Sequence, residues 1–300
     1  WRLRLSRWAV LLFGKPIFKH ELKSFTPVIK PRSDQNDMSV PVQVNSSSAL
    51  FALGKPKNMT TALCRCKEEG VTFFGALAAA IMVAYYVGSG HDSGSKKLFK
   101  LTADVDFNMR HRVPSPPVDT PVSAYLATSP LEFLAKKGVD FDSTRFWDFA
   151  RQCKQELEDT LNSVFMPLTM LFLDENVHME VEMPEDMAVP NSVTSDVNIS
   201  NVGKYPYSTT HAFKTSAGSD EDLVIDSVHV YNSSPHLGSA AVLFIMSTDK
   251  FSYSMMHKYE PQDAKRVFNV YVACVERIGE ITRDESMAQV ARGVVEARRY

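Results

Sequence analysis

The chain has 300 residues, 44% of them apolar and 23% charged, with a formal net charge of −2. This is ordinary for a folded chain of one large domain or two smaller ones, and it excludes a disordered chain, a collagen-like repeat and a multi-span membrane protein. The balanced charge gives no global bias toward nucleic acid or anionic membranes, and four cysteines are too few for a disulfide scaffold.

The first 32 residues are basic, with eight Lys and Arg against one acid, Glu21. The apolar run Trp8–Phe13 is six residues long with no small-x-small cleavage site behind it. It reads as a partly buried helix, not as a signal peptide or a membrane span. Residues 24–57 are rich in Pro, Ser and Asn and read as an extended connector. Thr60 or Thr61 can then cap a helix that Gly70 closes. Thr72 caps a second helix over 71–87, uncharged for 17 residues. That is the lower edge of the about 17–25 residues a span requires, but a central helix packed on all sides gives the same pattern and is the reading taken. Gly88-Ser-Gly90 ends it.

Apolar and polar residues alternate from Leu98 to Phe107, the mark of a half-buried strand. Asp104 and Asp106 share one face of it, read as a solvated face. A proline-rich break follows, then a shorter β segment at 122–128. Asp142 or Ser143 caps a helix with the stripe Phe146, Phe149, Ala150, Cys153, Leu157 and Leu161. A Met-rich segment covers 163–173, and 174–191 reads as loop. Four β segments follow, Val193–Asn201, Leu223–Asn232, Ala240–Ser247 and Phe251–Tyr259, the last two joined by a hairpin turn at Thr248–Lys250. Pro261 opens a last amphipathic helix that Gly279 can cap. The remaining residues are polar and weakly patterned. This order predicts an α+β architecture, helices packed on a mixed β-sheet.

Pattern alone yields no catalytic residue and no metal site. The chain has no G-x-S-x-G, Walker loop, G-x-G-x-x-G or H-E-x-x-H. None of its eight histidines has a partner at metal-ligand spacing. Cys64, Cys66, Cys153 and Cys274 read as reduced thiols. Sequons at Asn45, Asn58, Asn198 and Asn232 read as chance matches, Asn198 lying inside a strand.

Three segments in a fixed order do carry a resemblance: LCRCKEEGVTFFGALAAAIMVAYY at 63–86, FNMRHR at 107–112 and SNVG at 200–203. Together they resemble the C-terminal half of the chloramphenicol-acetyltransferase-like acyltransferases, nearest the branch of phthiocerol dimycocerosyl transferases, condensation domains and alcohol acetyltransferases. The resemblance spans roughly residues 58–280 and implies half of a two-subdomain fold. Residues 1–57 would be the end of the other half plus the crossover, 58–280 the subdomain itself and 281–300 a tail. It implies transfer of an acyl group from a CoA or carrier-protein thioester to an alcohol or amine, in a cytoplasmic protein. No bound cofactor is implied; the acyl thioester is a co-substrate. The implied partners are the small-molecule acceptor and the thioester, with an acyl carrier protein as a further candidate, and neither nucleic acid nor a stable membrane span. Asn108 and Arg110 would contact substrate or the other subdomain, while Ser200, Asn201 and Gly203 would be mainly architectural.

The departure from the family is as informative. Its general base is the His of H-x-x-x-D-G, which takes a proton from the acceptor as that attacks the thioester. This chain holds no H-x-x-x-D and no Asp-Gly dipeptide. In the family's order that motif falls just before Trp1. The expectation is therefore the C-terminal portion of a larger acyltransferase, inactive alone. The rival expectation is a noncatalytic binding or scaffold protein that keeps half of the fold.

Overall fold

The computed structural model describes residues 25–32, 48–91, 98–109, 126–130, 137–162, 193–216, 218–232 and 238–297, with the single positions 8, 12 and 20. Trp8 and Leu12 are helical but largely exposed, so the partial burial expected there does not hold at these positions. The Met-rich segment and the loop read at 163–191 lie outside the described residues.

Helix α1 (Pro56–Glu68) starts at Pro56, ahead of the threonines expected to cap it. Proline's fixed φ and missing N–H suit a first helical position. This end is met from a distance by Glu276, which accepts the backbone N–H of Lys55 at 2.8 Å and the side-chain Nδ2 of Asn58 at 2.9 Å. Gly70, at φ +68°, turns the chain into α2 (Phe73–Gly88), whose axis lies 110° from that of α1. Thr72 caps α2 by accepting the Gly75 N–H at 3.3 Å. All of α2 except Phe73 and Val87 is buried, so its all-round apolar sequence belongs to a central core helix. Among the described residues, no single helix is long and apolar enough to cross a membrane.

Six strands form one mixed sheet. They are β1 (Ser48–Leu53), β2 (Ala103–Asn108), β3 (Leu126–Pro130), β4 (Val193–Lys204), β7 (Gly238–Ser247) and β8 (Phe251–His257), in the order β1-β8-β7-β4-β2-β3. β4 runs parallel to both β7 and β2; the other neighbours are antiparallel. Leu243, Ile245, Phe251, Tyr253 and Met255 join the main core with α2, α3 (Phe146–Asn162), α4 (Pro261–Arg277) and α5 (Met287–Glu296). Val242, Phe244 and Met256 form a small second cluster with Val230. β7 is thus covered on both faces, which explains its continuous apolar run. β5 (Thr210–Lys214) and β6 (Asp220–Val224) make a separate, fully exposed hairpin.

Several elements depart from the sequence reading for identifiable reasons. β1 falls inside the expected connector; it pairs with β8 while leaving Phe51 and Leu53 exposed, so apolar residues occupy both phases and the alternation is lost. The strand expected from Leu98 starts at Ala103, Phe99 making only an isolated bridge to Val139. The β segment at 223–232 ends as a strand at Val224, and its partner β5 carried no period-2 signal. Gly279 does not cap α4, which passes into a 3₁₀ turn at Ile278–Glu280. Its missing Cβ is needed for contact, because a Cβ there would lie 2.5 Å from Thr61 Oγ1. The stretch after 280 is no tail. Ser286 and Gln289 close a capping box, and α5 buries Met287, Ala288, Val290, Ala291 and Val294. The four cysteines are free thiols, Cys66, Cys153 and Cys274 buried and Cys64 exposed. Burial pushes the Cys66 and Cys274 thiols up to about 12, which makes them inert packing groups.

Candidate functional site

The face of the sheet opposite the main core carries the site. Along β2, Ala103, Val105 and Phe107 enter the core, so the intervening Asp104, Asp106 and Asn108 fall on the other face. β4 skips a residue in its pairing with β7 between Val193 and Ser195, and this irregularity aims Ser195 at that face. The Ser195 hydroxyl donates to Asp104 Oδ2 and lies 2.7 Å from Ser239 Oγ on β7; Ser239 also reaches Asp104 at 3.3 Å. Beside this group, Asp106 Oδ1 accepts from Thr128 Oγ1 at 2.8 Å and from Asn198 Nδ2 at 3.0 Å. Asn198 Oδ1 is buried and has no partner among the described residues.

The sequence reading of Asp104 and Asp106 as a solvated pair is therefore corrected. They anchor a polar strip across β3, β2, β4 and β7. Burial is the main influence on Asp104 and pushes its carboxyl above the ordinary range. The Ser195 and Ser239 bonds pull against that, and the neighbouring Asp106 adds to it. The strip is rich in oxygen acceptors and hydroxyls. It can hold and orient a hydroxyl or amine, but it contains no nucleophile–base pair of the serine–histidine kind.

Of the residues singled out in the sequence, the described ones fall at one end of this face. Asn108 closes β2 and is exposed, pairing across to Leu126. Arg110 lies outside the described residues. Ser200 is buried on β4 opposite Phe244. Asn201 Oδ1 accepts the Gly203 N–H at 3.2 Å, and Gly203 has φ +88°. The pairing with β7 skips Val202, so S-N-V-G is a bulge within β4, which runs on to Lys204, and not a turn at its end. Because β2 and β4 are parallel, Asn108 and the bulge lie toward the same edge of the sheet. Ser195, Asn198, Thr128 and Ser239 were missed. Only the in-phase Asp104 and Asp106 signalled this face, and small polar residues within strands carry no period. Among the described residues no group of three or more His, Cys, Asp and Glu could hold a metal ion.

No protein-family model matches the chain, and no curated protein matches it. Solved structures do. The trichothecene 15-O-acetyltransferase TRI3 from Fusarium sporotrichioides superposes on 91% of the chain with a TM-score of 0.56 at 12% identity. The epimerization domain from the third module of tyrocidine synthetase B superposes on 93% with a TM-score of 0.52 at 11% identity. The condensation domain of the Monacolin K polyketide synthase MokA superposes on 95% with a TM-score of 0.51 at 11% identity.

The chain has the chloramphenicol-acetyltransferase-like fold. It spans only part of the structures it matches: 52% of the acetyltransferase, 58% of the epimerization domain and 61% of the condensation domain. At this identity the likeness is one of fold, which in this chain is a mixed six-stranded sheet packed by helices.

Proposed function

We propose that this chain is the C-terminal part of an acyltransferase. It would carry one wall of a site in which an acyl group passes from a CoA or carrier-protein thioester to an alcohol or amine. The polar strip on the face of the chloramphenicol-acetyltransferase-like sheet opposite the main core carries this reading. A sheet face that bears two carboxylates, three hydroxyls and a buried amide oxygen with no partner among the described residues is built to meet polar groups. Structural neighbours spanning nearly the whole chain, which itself covers little more than half of theirs, support a second half elsewhere.

In this reading the general base comes from that other half, because no H-x-x-x-D-G occurs in the chain. The thiol leaves as the acceptor oxygen or nitrogen bonds the acyl carbon, and the acceptor's proton passes through the base to the departing sulfur. Asn108 and Arg110 would contact substrate or the partner half. Residues 1–57 would close that half and cross over, and a carrier protein would be a partner where the thioester is carrier-bound. The neighbours that are parts of tyrocidine synthetase B and of the Monacolin K polyketide synthase favour this last point.

The test is thiol release from acyl-CoA, followed with a thiol reagent in the presence of alcohols and amines. It compares this chain with a protein extended upstream in its reading frame. The expected result is release by the extended protein alone, together with an H-x-x-x-D-G in the added residues. Turnover by the chain alone would overturn the placement of the base. No turnover by either protein, with no such motif upstream, would favour the noncatalytic rival.

A further inference from the structure

Asp196 lies just after the first irregularity of β4 and is 1% exposed. Each of its polar groups is engaged with a partner distant in sequence. Its carboxyl Oδ2 accepts the Thr102 N–H at 2.9 Å, and its own N–H donates to the Thr102 carbonyl at 3.0 Å. Thr102 stands one residue before β2, the strand that carries Asp104 and Asp106. Two holds on this one residue fix where β2 begins and how it is turned, and so where those two carboxylates stand.

The other carboxyl oxygen, Oδ1, accepts the Val28 N–H at 2.7 Å. Val28 belongs to the segment 25–32, and the far end of that segment reaches Asp196 as well. Pro31 bridges to Tyr259, whose hydroxyl donates to the Asp196 carbonyl at 2.8 Å, beside the Tyr85 hydroxyl of α2 at 3.2 Å. Between these two attachments Ile29 is buried. Val28 and Thr102 thus meet on one carboxyl group. That group is planar and rigid, so its two oxygens move together. A displacement of one N–H turns the acceptor away from the other, and hydrogen bonds weaken steeply once misaligned.

We propose that Asp196 is a positioning residue that couples the seating of residues 25–32 to the placement of Asp104 and Asp106 on β2. With 25–32 seated, both carboxyl oxygens are satisfied and the group is locked in one orientation. When 25–32 lifts, Oδ1 loses its donor. A buried acceptor left without a donor is costly, so the group turns to regain one and gives up its hold on the Thr102 N–H. The start of β2 is then held only through the Thr102 carbonyl, and the polar strip loosens with it. Whatever seats or lifts 25–32 is therefore felt at the strip. In the reading proposed above, the chain upstream of this segment belongs to the other half, so docking of that half would set the strip in place. The coupling itself exists whether or not the chain transfers acyl groups.

The experiment is a double-mutant cycle read by hydrogen exchange of the whole chain. Ile29→Ala loosens 25–32 from within, and Asp196→Asn breaks the link, since Asn keeps the shape of the side chain but has one acceptor oxygen for the two N–H groups. Peptides covering 25–32 and 98–104 are followed relative to peptides of α4, so that a global loss of stability cancels. Ile29→Ala is expected to speed exchange at 98–104 by about fivefold or more, together with 25–32. In the Asp196→Asn background it should still loosen 25–32 but leave 98–104 unchanged within about twofold. A merely structural Asp196 would add its own loosening and leave the response to Ile29→Ala as it was. No response at 98–104 in the single variant, or an equal response in both backgrounds, overturns the proposal. Should Asp196→Asn fail to fold, Val28→Pro takes its place in the cycle under the same criteria, because it removes the N–H that Oδ1 accepts without touching β4.

Discussion

Gly75 of α2 and Ala150 of α3 meet backbone to backbone, so that a methyl group added at Gly75 would lie 2.4 Å from the Ala150 carbonyl oxygen. A backbone atom cannot step aside as a side-chain tip can. Gly75→Ala should therefore separate the two helices and cost about 1–3 kcal/mol, the usual penalty of overpacking. Gly70 is the contrast. Nothing lies within 4 Å of an added Cβ there, and only its φ of +68° resists a side chain. Gly70→Ala should cost about 1 kcal/mol, and Gly70→Asn less. Urea midpoints of the three variants check the order; Gly70→Ala proving worse than Gly75→Ala would refute this account of the α2–α3 contact.

Glu69, at the end of α1, gathers three guanidinium groups on one carboxylate with 1% side-chain exposure: Arg65 at 3.0 Å, Arg151 at 3.4 Å and Arg283 at 3.1 Å. Arg151 also donates to the Glu69 carbonyl at 3.0 Å. The cluster ties α1, α3 and the loop before α5 around the Gly70 corner. Glu69→Gln should destabilise by about 2 kcal/mol, less than a deeply buried pair, because the orphaned Arg151 and Arg283 still reach water. Arg283→Ala, from the most exposed partner, should cost under about 1 kcal/mol. Denaturant titrations of the two variants give the comparison.

The elements whose burial follows from their own local run of residues, periodic or apolar throughout, were legible in the sequence. α2, the stripe of α3 and the amphipathic face of α4 announced themselves, as did the Gly70 and Gly90 turns, because each feature lies within a few residues of its cause. What escaped depends on partners far away in the chain. β1 is a strand because β8 offers it an edge, while its own exposed positions hold Phe51 and Leu53. The start of α1 is served by Glu276, more than 200 residues away. The polar strip was half visible. Asp104 and Asp106 stood in phase, but whether water or hydroxyls faced them was decided by a skipped residue in β4 that no period marks. Asp196 gave no signal at all, being an ordinary acid until the strand packs.

The strip itself makes a pH prediction. Burial holds Asp104 above the ordinary carboxylate range, so the folded state keeps this proton to higher pH than the unfolded chain. The stability it contributes is full below the unfolded value of 3.8 and is lost as pH rises through the folded one. Asp104→Asn keeps an acceptor for Ser195 and cannot ionise. Its stability relative to the wild type should therefore be greater at pH 7 than at pH 4. Unfolding free energies at those two pH values check the sign, and an unchanged difference would place Asp104 in ordinary solvent.

His257 should act in the opposite sense. Its ring is buried at the end of β8, and burial together with Arg32 pushes it down to about 4 against a backbone hydrogen bond at Tyr259. The unfolded chain takes up a proton below 6.5, whereas the folded chain does so only near 4, so falling pH favours unfolding over this window. At about 1.4 kcal/mol per unit, the full loss is about 3 kcal/mol. His257→Phe keeps a ring stacked on Tyr259 and removes the titration, at the expense of the hydrogen bond. The variant should thus be less stable than the wild type at pH 7 and lose less on acidification. The measurement is the variant-minus-wild-type difference in unfolding free energy at pH 7 and pH 4.5. That difference must shift toward the variant at the lower pH, and a constant difference would mean that His257 protonates as readily in the folded chain as in the unfolded one.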